Sequence, residues 1–363
     1  MADTLAATGL RVQQWDSKFY TEFLNENIFA DFQGTGSGSI VQVKEDLTKK
    51  QGDSVTYALV NKLTQDATTG SAVLEGQEED MATRSFRVYV DKRRHAVRMA
   101  EMEEQKSAIP LRDAARDQLM EWLMEDTRDR YIEALGSING VAYASASEAQ
   151  KDAWVSDNRD RVLFGATKSN LSGASYDHSA ALLTVDTTTD RLTPNALSLM
   201  KRMARVANPK IRPIRVNGDN HYYLVLAGSN TFRDLKTHAT ITQAQREVTL
   251  AEQNRRLFTA AGDIQWDNLL IREVPDLPIY SGVGNGGNNV SPVYLLGAQA
   301  LALAVCRRVK TVTKEFDYGD KYGVAIDQID GIRKMIFGSG TGDTDDLKDH
   351  GVLTGYFSDV ADS

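Results

Sequence analysis

The sequence is poor in the residues that most often carry chemistry. Its 363 residues include one cysteine and five histidines. A single cysteine cannot form a disulfide within the chain, and Cys306 follows an apolar run at residues 301–305, which predicts a buried thiol. The histidines lack the i,i+4 pairs and neighbouring cysteines of a metal site or nucleophilic triad. They are His95, His178, His221, His238 and His350. We therefore expect no enzymatic activity, no cofactor and no metal.

Long apolar runs are also absent. The longest, residues 295–306, is shorter than the roughly 20 residues that a membrane-spanning helix needs. We expect no membrane partner. Acidic residues outnumber basic ones by 50 to 42, for a net charge of −8. That balance argues against a dedicated duplex DNA binder, which gains affinity by neutralising phosphates, but not against a protein that encloses nucleic acid.

Two loops resemble ligand sites in composition only. A phosphate-binding loop needs a strand before it and a helix start after it, whereas the glycine-rich residues 282–287 are followed by Ser291-Pro292 and an apolar strand-like run. Four aspartates near the C-terminus do not have the spacing of a calcium loop. They are Asp343, Asp345, Asp346 and Asp349. Both loops are interpreted as solvated surface segments.

A long polar arm is the most informative feature that is present. Apolar and polar residues alternate at both ends of residues 54–90, which predicts two strands. Between them lie 22 mostly polar residues, from 64 to 85. A loop of this length is uncommon in a compact domain and is usually functional or ordered by a partner. The arm has little core of its own, so we expect it to be stabilised against another molecule.

Opposite charges mark the two ends of the arm. We call Glu75, Glu78, Glu79 and Asp80 the acidic tip. We call Lys92, Arg93, Arg94 and Arg98 the basic base. One interpretation is two solvated charge clusters, which is the commoner case. The other is head-to-tail complementarity, in which the acidic tip of one copy reaches a basic surface on the next.

A long helix follows the arm. Residues 110–135 carry an apolar stripe, with proline at the start and Gly136 after the end. About 25 helical residues span about 37 Å, enough for the backbone of a subunit. Upstream, residues 1–50 begin with an aromatic helical pattern that precedes a glycine–serine linker. Its aromatic residues Trp15, Phe19 and Phe23 pack either on their own core or on a neighbouring copy, and the linker favours the neighbour.

The remaining segments predict an α+β protein. We expect irregular structure over residues 137–190, a helix over 193–207 and strands over 211–216, 222–226 and 264–274. Further expectations are one apolar element at 293–305, a strand-like stretch at 323–337, a wet loop at 338–349 and a final strand near 352–357.

A basic stretch without acidic residues spans positions 201–215. Its members are Lys201, Arg202, Arg205, Lys210, Arg212 and Arg215. No aromatic residues are interleaved, so stacking on single-stranded nucleic acid is unsupported. The stretch is interpreted as a contact for DNA phosphates, a contact for a neighbour's carboxylates, or a solvated helix face.

Several strings, in order along the chain, resemble phage major capsid proteins of the N-four-like family. They include residues 74–79 (LEGQEE), 88–99 (VYVDKRRHAVRM), 222–235 (YYLVLAGSNTFRDL), 262–275 (GDIQWDNLLIREVP), 296–304 (LGAQALALA) and 316–337 (FDYGDKYGVAIDQIDGIRKMIF). Within residues 222–235, the family's usual histidine–proline is replaced by Ala227-Gly228.

The resemblance implies the Hong Kong 97-like major capsid fold. In that layout residues 1–50 form an N-terminal arm, and 51–98 form the extended loop and its base. Residues 99–190 form a peripheral domain with its spine helix at 110–135. Residues 191–300 form an axial domain, and 301–363 return to the peripheral domain with the C-terminal strands.

The same resemblance implies a function. The chain would be the major capsid protein of a tailed double-stranded DNA bacteriophage, forming pentamers and hexamers of an icosahedral shell. Its partners would be itself, packaged DNA bound without sequence specificity, and portal, scaffolding and decoration proteins. It would assemble in the bacterial host cytoplasm and reside in the virion. The alternatives are a nucleic-acid-binding protein that uses residues 201–215 and an encapsulin-like non-viral shell protein.

Overall fold

The computed structural model describes residues 29–45, 52–63, 65–71, 73–81, 83–107, 109–216, 220–247, 263–340 and 342–361. These residues form two compact units. Unit 1 comprises residues 91–128 and 307–330, and unit 2 comprises the described parts of 28–90, 129–306 and 331–363. Residues Trp15, Phe19 and Phe23 lie outside the described residues, so their predicted docking stays a prediction.

The first elements in chain order are β1 (Gln33–Gly34), β2 (Val41–Lys44), β3 (Ser54–Val60), β4 (Thr83–Tyr89), β5 (Asp91–Ala100), α1 (Glu101–Lys106), α2 (Leu111–Gly136), α3 (Glu148–Asp157), β6 (Val162–Phe164), α4 (Ser169–Gly173), α5 (His178–Leu182) and α6 (Pro194–Val206). The remaining elements are β7 (Ile214–Val216), β8 (Asn220–Ala227), α7 (Ser229–Thr237), α8 (Ala239–Glu247), β9 (Ile264–Trp266), β10 (Leu269–Glu273), β11 (Val290–Leu296), β12 (Leu301–Phe316), β13 (Lys321–Lys334), β14 (Ile336–Ser339), β15 (Asp345–Asp349) and β16 (Val352–Ser358).

Unit 1 consists of a helix packed on one face of a sheet. Strand β13 pairs antiparallel with β5, from Lys321 opposite Ala100 to Asp330 opposite Asp91. Leu119 and Leu123 of α2 pack on Val324 and Ile326 of β13. Successive side chains along a strand point to opposite faces, so Lys92, Arg94 and Arg98 of β5 lie on the face away from α2, where they are exposed.

Helix α2 confirms the predicted long helix within one residue at each end. Ala114 N donates to Pro110 O at 3.1 Å, so the proline stands immediately before the first helical residue. Leu119 and Leu123 of the predicted stripe are buried. The amphipathic spacing therefore identified the packed face of the helix from the sequence alone.

Unit 2 is built around a seven-stranded sheet. Its strand order is β6-β16-β11-β8-β10-β9, with β7 pairing with β8. β11 is antiparallel to both of its neighbours, whereas β10 runs parallel to β8 and β16 runs parallel to β6. Every residue of β11 and β16 is buried, so both faces of the sheet are covered.

Side chains of the central strands supply two cores in alternation. Val225 and Leu295 face a cluster that contains Leu197 and Met200 of α6. Their sequence neighbours Leu224 and Leu226 of β8, and Tyr294 and Leu296 of β11, face a second cluster that contains Tyr131 and Leu135 of α2. A strand that is covered on both faces is apolar without alternation, which explains the continuous apolar run from Tyr223 to Ala227.

Three sequence-based expectations for this fold were wrong. Residues 137–190 contain α3, which begins with a capping box between Ser147 and Gln150, and also β6, α4 and α5. The single apolar element expected at 293–305 is two strands, β11 and β12, and β12 continues to Phe316. The loop expected at 338–349 contains β15, which pairs with β14. In each case tertiary pairing or a local cap overrode the composition on which the expectation rested.

A buried ion pair joins β13 and β15 in unit 2. Lys334 Nζ lies 2.8 Å from Asp349 Oδ2, and the two side chains are only 1% and 2% exposed. The same oxygen accepts a hydrogen bond from Trp154 Nε1 at 3.1 Å. Taking two charges out of water is costly, so removing one partner leaves the other charge uncompensated.

We expect the Asp349→Asn variant to lower the free energy of unfolding by about 3–5 kcal/mol, because it leaves the Lys334 ammonium buried without its carboxylate. Chemical denaturation followed by tryptophan fluorescence measures this. The matched control is Asp346→Asn, which removes the partly exposed pair with Lys348 at 3.5 Å. That change should cost about 0–1 kcal/mol. Equal losses in the two variants would contradict the assigned role of the buried pair.

A second buried group is the imidazole of His178. Its ring packs among Tyr143, Phe164 and Tyr356, and its Nε2 lies 3.4 Å from the Tyr143 hydroxyl. Burial, and secondarily the charge of Lys151, lowers the pKa of His178 to about 4. The folded chain therefore holds this imidazole neutral at pH values where an unfolded chain would protonate it.

This difference predicts a pH dependence of stability. Between the unfolded pKa of 6.5 and the folded pKa of about 4, the unfolded state binds a proton that the folded state does not. The contribution of His178 to stability is therefore complete above about pH 6.5 and is lost as the pH falls toward 4. The loss from this residue amounts to as much as about 3 kcal/mol. Denaturation of wild-type and His178→Gln protein across this range should give a flatter profile for the variant. A variant profile as steep as that of the wild type would refute the assignment.

Candidate assembly surfaces

The base of the arm is packed on its own chain. β3 and β4 pair antiparallel, from Ser54 opposite Tyr89 to Val60 opposite Thr83. The inward side chains of the arm lie in one cluster with residues of β12, of β14 and of the link between β13 and β14. The buried members are Val55, Tyr57, Val88, Ala302, Ala304, Met335 and Phe337. The expectation that the arm has little core of its own was therefore wrong for its base.

Polar contacts hold the base in place as well. The Tyr57 hydroxyl lies 3.2 Å from Leu303 O and 3.3 Å from Gln42 O. Lys44 Nζ donates to Thr56 O at 3.0 Å and lies 4.2 Å from the centroid of the Tyr57 ring. Gly331 of β13 faces the carbonyl of Tyr89 so closely that any Cβ there would collide with it.

Asp343 holds strand β4 of the arm, and the sequence did not reveal this contact. Its Oδ2 accepts hydrogen bonds from Ser85 N at 2.8 Å and from Ser85 Oγ at 2.7 Å. These bonds lower the pKa of Asp343. The two residues are 258 positions apart, so only the tertiary structure brings them together. Asp343 belongs to the aspartate loop that was interpreted as merely solvated.

Beyond Val60 and Thr83 the arm leaves this packed base. Glu75, Glu78 and Asp80 of the acidic tip are exposed, and Glu79 is partly buried. Glu79 Oε2 accepts a hydrogen bond from Gln65 N at 2.8 Å and joins the two sides of the tip, while Glu78 Oε2 accepts one from Gly76 N at 2.7 Å. Two of the four carboxylates therefore help to shape the tip. Glu75 and Asp80 are the ones that present their charge to solvent.

The basic base divides between the two faces of β5. Arg93 turns toward α2, where its Nη1 lies 3.8 Å from Asp126 Oδ1. Lys92, Arg94 and Arg98 are exposed and occupy the opposite face, as strand alternation requires. The sequence grouped all four residues, whereas the structure places only these three on one surface.

We call this surface of unit 1 the basic face. Asp327 of β13 lies opposite Arg94 and forms ion pairs with Lys92 at 3.7 Å and with Arg307 at 2.6 Å. Gly323 lies opposite Arg98, and a Cβ on Gly323 would touch the Phe316 ring. The basic face thus combines the cations of Lys92, Arg94, Arg98 and Arg307 with one carboxylate and one partly exposed aromatic ring.

The basic stretch at 201–215 does not form a single surface of free charges. Lys201 is held by Asp267, with 2.6 Å between Nζ and Oδ1. Arg212 Nη2 donates to Ser37 O at 3.3 Å. Arg202, Arg205, Lys210 and Arg215 are exposed.

The described residues offer no other evident chemistry. They contain no group of three or more histidine, cysteine, aspartate or glutamate residues that could hold a metal ion. None of the helices within those ranges is both long and apolar enough to cross a membrane. Cys306 is partly exposed, so the expected buried thiol was wrong.

The chain is similar in sequence and in fold to phage capsid proteins. A family model described as "Phage capsid protein" matches residues 4–357. The major capsid protein of Pseudomonas phage KPP25 is 27% identical over 360 residues, which cover 94% of this chain and 93% of the relative. The capsid of cyanophage Pam1 superposes with a TM-score of 0.85 at 29% identity, with all of both chains covered. The capsid of Ralstonia phage GP4 has a TM-score of 0.75 at 19% identity, again over both whole chains.

These matches confirm the resemblance noted in the sequence. The fold is the Hong Kong 97-like capsid fold, and the alternatives of a dedicated nucleic-acid-binding protein or a non-viral shell protein find no support. The protein self-assembles into a shell and is located in the capsid of the virion. The chain belongs to the phage capsid protein family and functions as a major capsid protein of tailed phages.

Proposed function

We propose that this chain forms pentamers and hexamers that tile an icosahedral shell around packaged double-stranded DNA. The observation that carries this proposal is the arm, whose base is buried in its own chain while its charged tip is exposed. An exposed tip on an anchored arm is suited to a heterologous contact, in which one patch meets a different patch on the next copy. Such contacts generate rings and closed assemblies when their rotation closes.

The segments take the roles that the family layout assigns. Residues 1–50 are the N-terminal arm, and Trp15, Phe19 and Phe23 in that segment are candidates for contact with a neighbour. Residues 51–98 are the extended loop with its base. Residues 99–190 and 301–363 form the peripheral domain around the spine helix, and 191–300 form the axial domain.

Within the shell, we assign the acidic tip to the basic face of the next copy. Glu75 and Asp80 supply exposed negative charge, and Arg94 and Arg98 supply exposed positive charge. Each exposed pair contributes only about 0–1 kcal/mol, so the pairs set orientation and partner choice, and repetition over many copies supplies stability. Arg93 is left out of this contact because it pairs with Asp126.

Other partners follow from the same proposal. Exposed Arg202, Arg205, Lys210 and Arg215 are available to DNA phosphates or to a neighbour's carboxylates. A net charge of −8 is consistent with enclosing DNA without gripping it by sequence. Assembly in the bacterial host cytoplasm with portal, scaffolding and decoration proteins completes the proposal.

We expect the full chain, produced in bacteria, to form capsomer rings or closed shells that electron microscopy of the purified protein resolves. Sedimentation velocity measures the same association as a function of protein concentration. Protein that remains strictly monomeric at every concentration would count decisively against the proposed assembly.

A charge swap tests the contact between the acidic tip and the basic face. Glu75→Lys/Asp80→Lys and Arg94→Glu/Arg98→Glu should each raise the concentration needed for assembly several-fold at about 0.1 M salt, where the Debye length is about 10 Å. The four substitutions in one chain restore opposite signs and should return assembly toward the wild-type concentration. A combined variant that assembles no better than either parent would rule out this pairing.

A further inference from the structure

Two exposed arginines project from helix α6, which is fixed against the central sheet of unit 2. The helix buries Leu197, Met200 and Met203 in the core that it shares with this sheet. Arg202 and Arg205 are exposed, and their spacing of three residues makes them neighbours on the side of the helix away from that core. The packed helix therefore holds two guanidinium groups close together at the surface.

The segment after α6 brings Lys210 back to the last turn of the helix. Ile211 N donates to Ala204 O at 3.1 Å, and Ile211 O accepts a hydrogen bond from the Tyr223 hydroxyl at 3.0 Å. Burial raises the pKa of Tyr223, and the charge of Arg205 opposes that rise, so the guanidinium lies near the same hydroxyl. Lys210 and Arg205 are therefore both placed at this end of α6.

Arg215 of β7 lies on the same side of the sheet. It is directly opposite His221 of β8. Side chains two residues apart along a strand share a face, so Arg215 and His221 lie on the face of Tyr223, which packs in the core that contains α6. We call the four exposed cations on this side the α6 surface. They are Arg202, Arg205, Lys210 and Arg215.

The α6 surface has positive charge that the subunit does not neutralise. Among the residues that the structure describes, none of its four cations forms an ion pair with a carboxylate, whereas the neighbouring Lys201 is paired with Asp267. Residues 201–215 contain no acidic side chain, in a chain whose net charge is −8. The surface is therefore a local excess of positive charge that suits an anionic partner.

The composition of the α6 surface favours phosphates over the carboxylates of another subunit. The cores of protein interfaces are apolar and rich in aromatic side chains. Residues 201–215 contain no aromatic residue, and Val206 is their only exposed large apolar side chain. Three of the four cations are arginines, whose planar guanidinium binds phosphate oxygens through two parallel hydrogen bonds. Duplex DNA carries about one phosphate charge per 1.7 Å of its axis.

We propose that the α6 surface binds the phosphates of double-stranded DNA without reading its sequence. The inference rests on the proposed shell function and selects DNA, rather than a neighbouring subunit, as the partner of these residues. Phosphate contacts position a protein on DNA but carry no sequence information. The net negative charge of each subunit keeps a single contact weak, so repetition over many subunits supplies the attachment.

The test measures how binding of a fluorescein-labelled duplex to the full-length protein depends on salt. Fluorescence anisotropy is recorded below the concentration at which the protein assembles. The logarithm of the affinity falls with the logarithm of the salt concentration by about 0.9 per neutralised phosphate, so about four contacts predict a slope of about −3.6. Between about 50 and 200 mM salt, the wild-type affinity should fall roughly 150-fold. A duplex with its base pairs in shuffled order should give the same slope.

Two variants remove half of the α6 surface. Arg202→Gln/Arg205→Gln should reduce the slope to about −1.8, so the affinity falls only roughly 12-fold over the same salt range. Arg202→Gln/Lys210→Gln keeps the contact between Arg205 and Tyr223 and should give the same reduced slope. The matched control is Lys168→Gln/Lys236→Gln, which removes two exposed positive charges elsewhere and should keep the wild-type slope. Thermal unfolding verifies that every variant folds. Equal slopes in all of these proteins would overturn the proposal.

Assembly of the same variants separates a DNA contact from a contact between copies. Sedimentation velocity should show each variant assembling at the wild-type concentration. A variant that needs a several-fold higher concentration to assemble, but binds DNA with the wild-type slope, would assign these residues to a neighbour's carboxylates and overturn the proposal. Wild-type protein that never associates would instead overturn the proposed shell function, and the slopes would still decide the DNA contact.

Discussion

The packing of the arm's base on its own core is the constraint on which the assembly surfaces depend. Val55, Tyr57 and Val88 are buried against β12 and β14, and the Tyr57 hydroxyl meets a backbone carbonyl of β12. Asp343 adds a clamp on Ser85. These contacts bury the inner part of the arm, whereas Glu75, Glu78 and Asp80, beyond Val60 and Thr83, are exposed in the single chain. An arm without this anchorage would need to order itself at the moment of contact and would bear the entropy of doing so.

The sheet of unit 1 has one face packed on α2 and one face with exposed basic residues. Leu119 and Leu123 of α2 cover one face of the sheet, and the same alternation turns Arg94 and Arg98 outward on the other. Strand β5 therefore contributes to both faces. Arg93 lies on the side of α2, and Lys92 and Arg94 lie on the basic face. This arrangement explains how a chain with net negative charge has a locally basic surface.

Elements with strong local signals were predictable from the sequence. The proline before α2, the glycine at its end and its apolar stripe located that helix within one residue at each end, because caps and periodicity act locally. The arm's two strands were likewise found from their alternation. Residues 307–316 were missed because nearly all of their side chains are exposed, so no buried face imposes a pattern. The helix α3 was missed because only Trp154 and Val155 of its ten residues are buried, too few for a periodic signal.

By itself, the sequence determined the α+β class, the long helix, the acidic tip and a resemblance to a capsid family, since these depend on composition, local propensity and ordered motifs. The tertiary structure alone decided which charges share a surface and which are paired within the subunit. Asp343 accepts a hydrogen bond from Ser85, 258 positions away. Arg93 forms an ion pair with Asp126, whereas Arg94 is exposed. The physical reason is that burial and ion pairing depend on distance in space, and strand pairing across the chain sets those distances after local structure has formed.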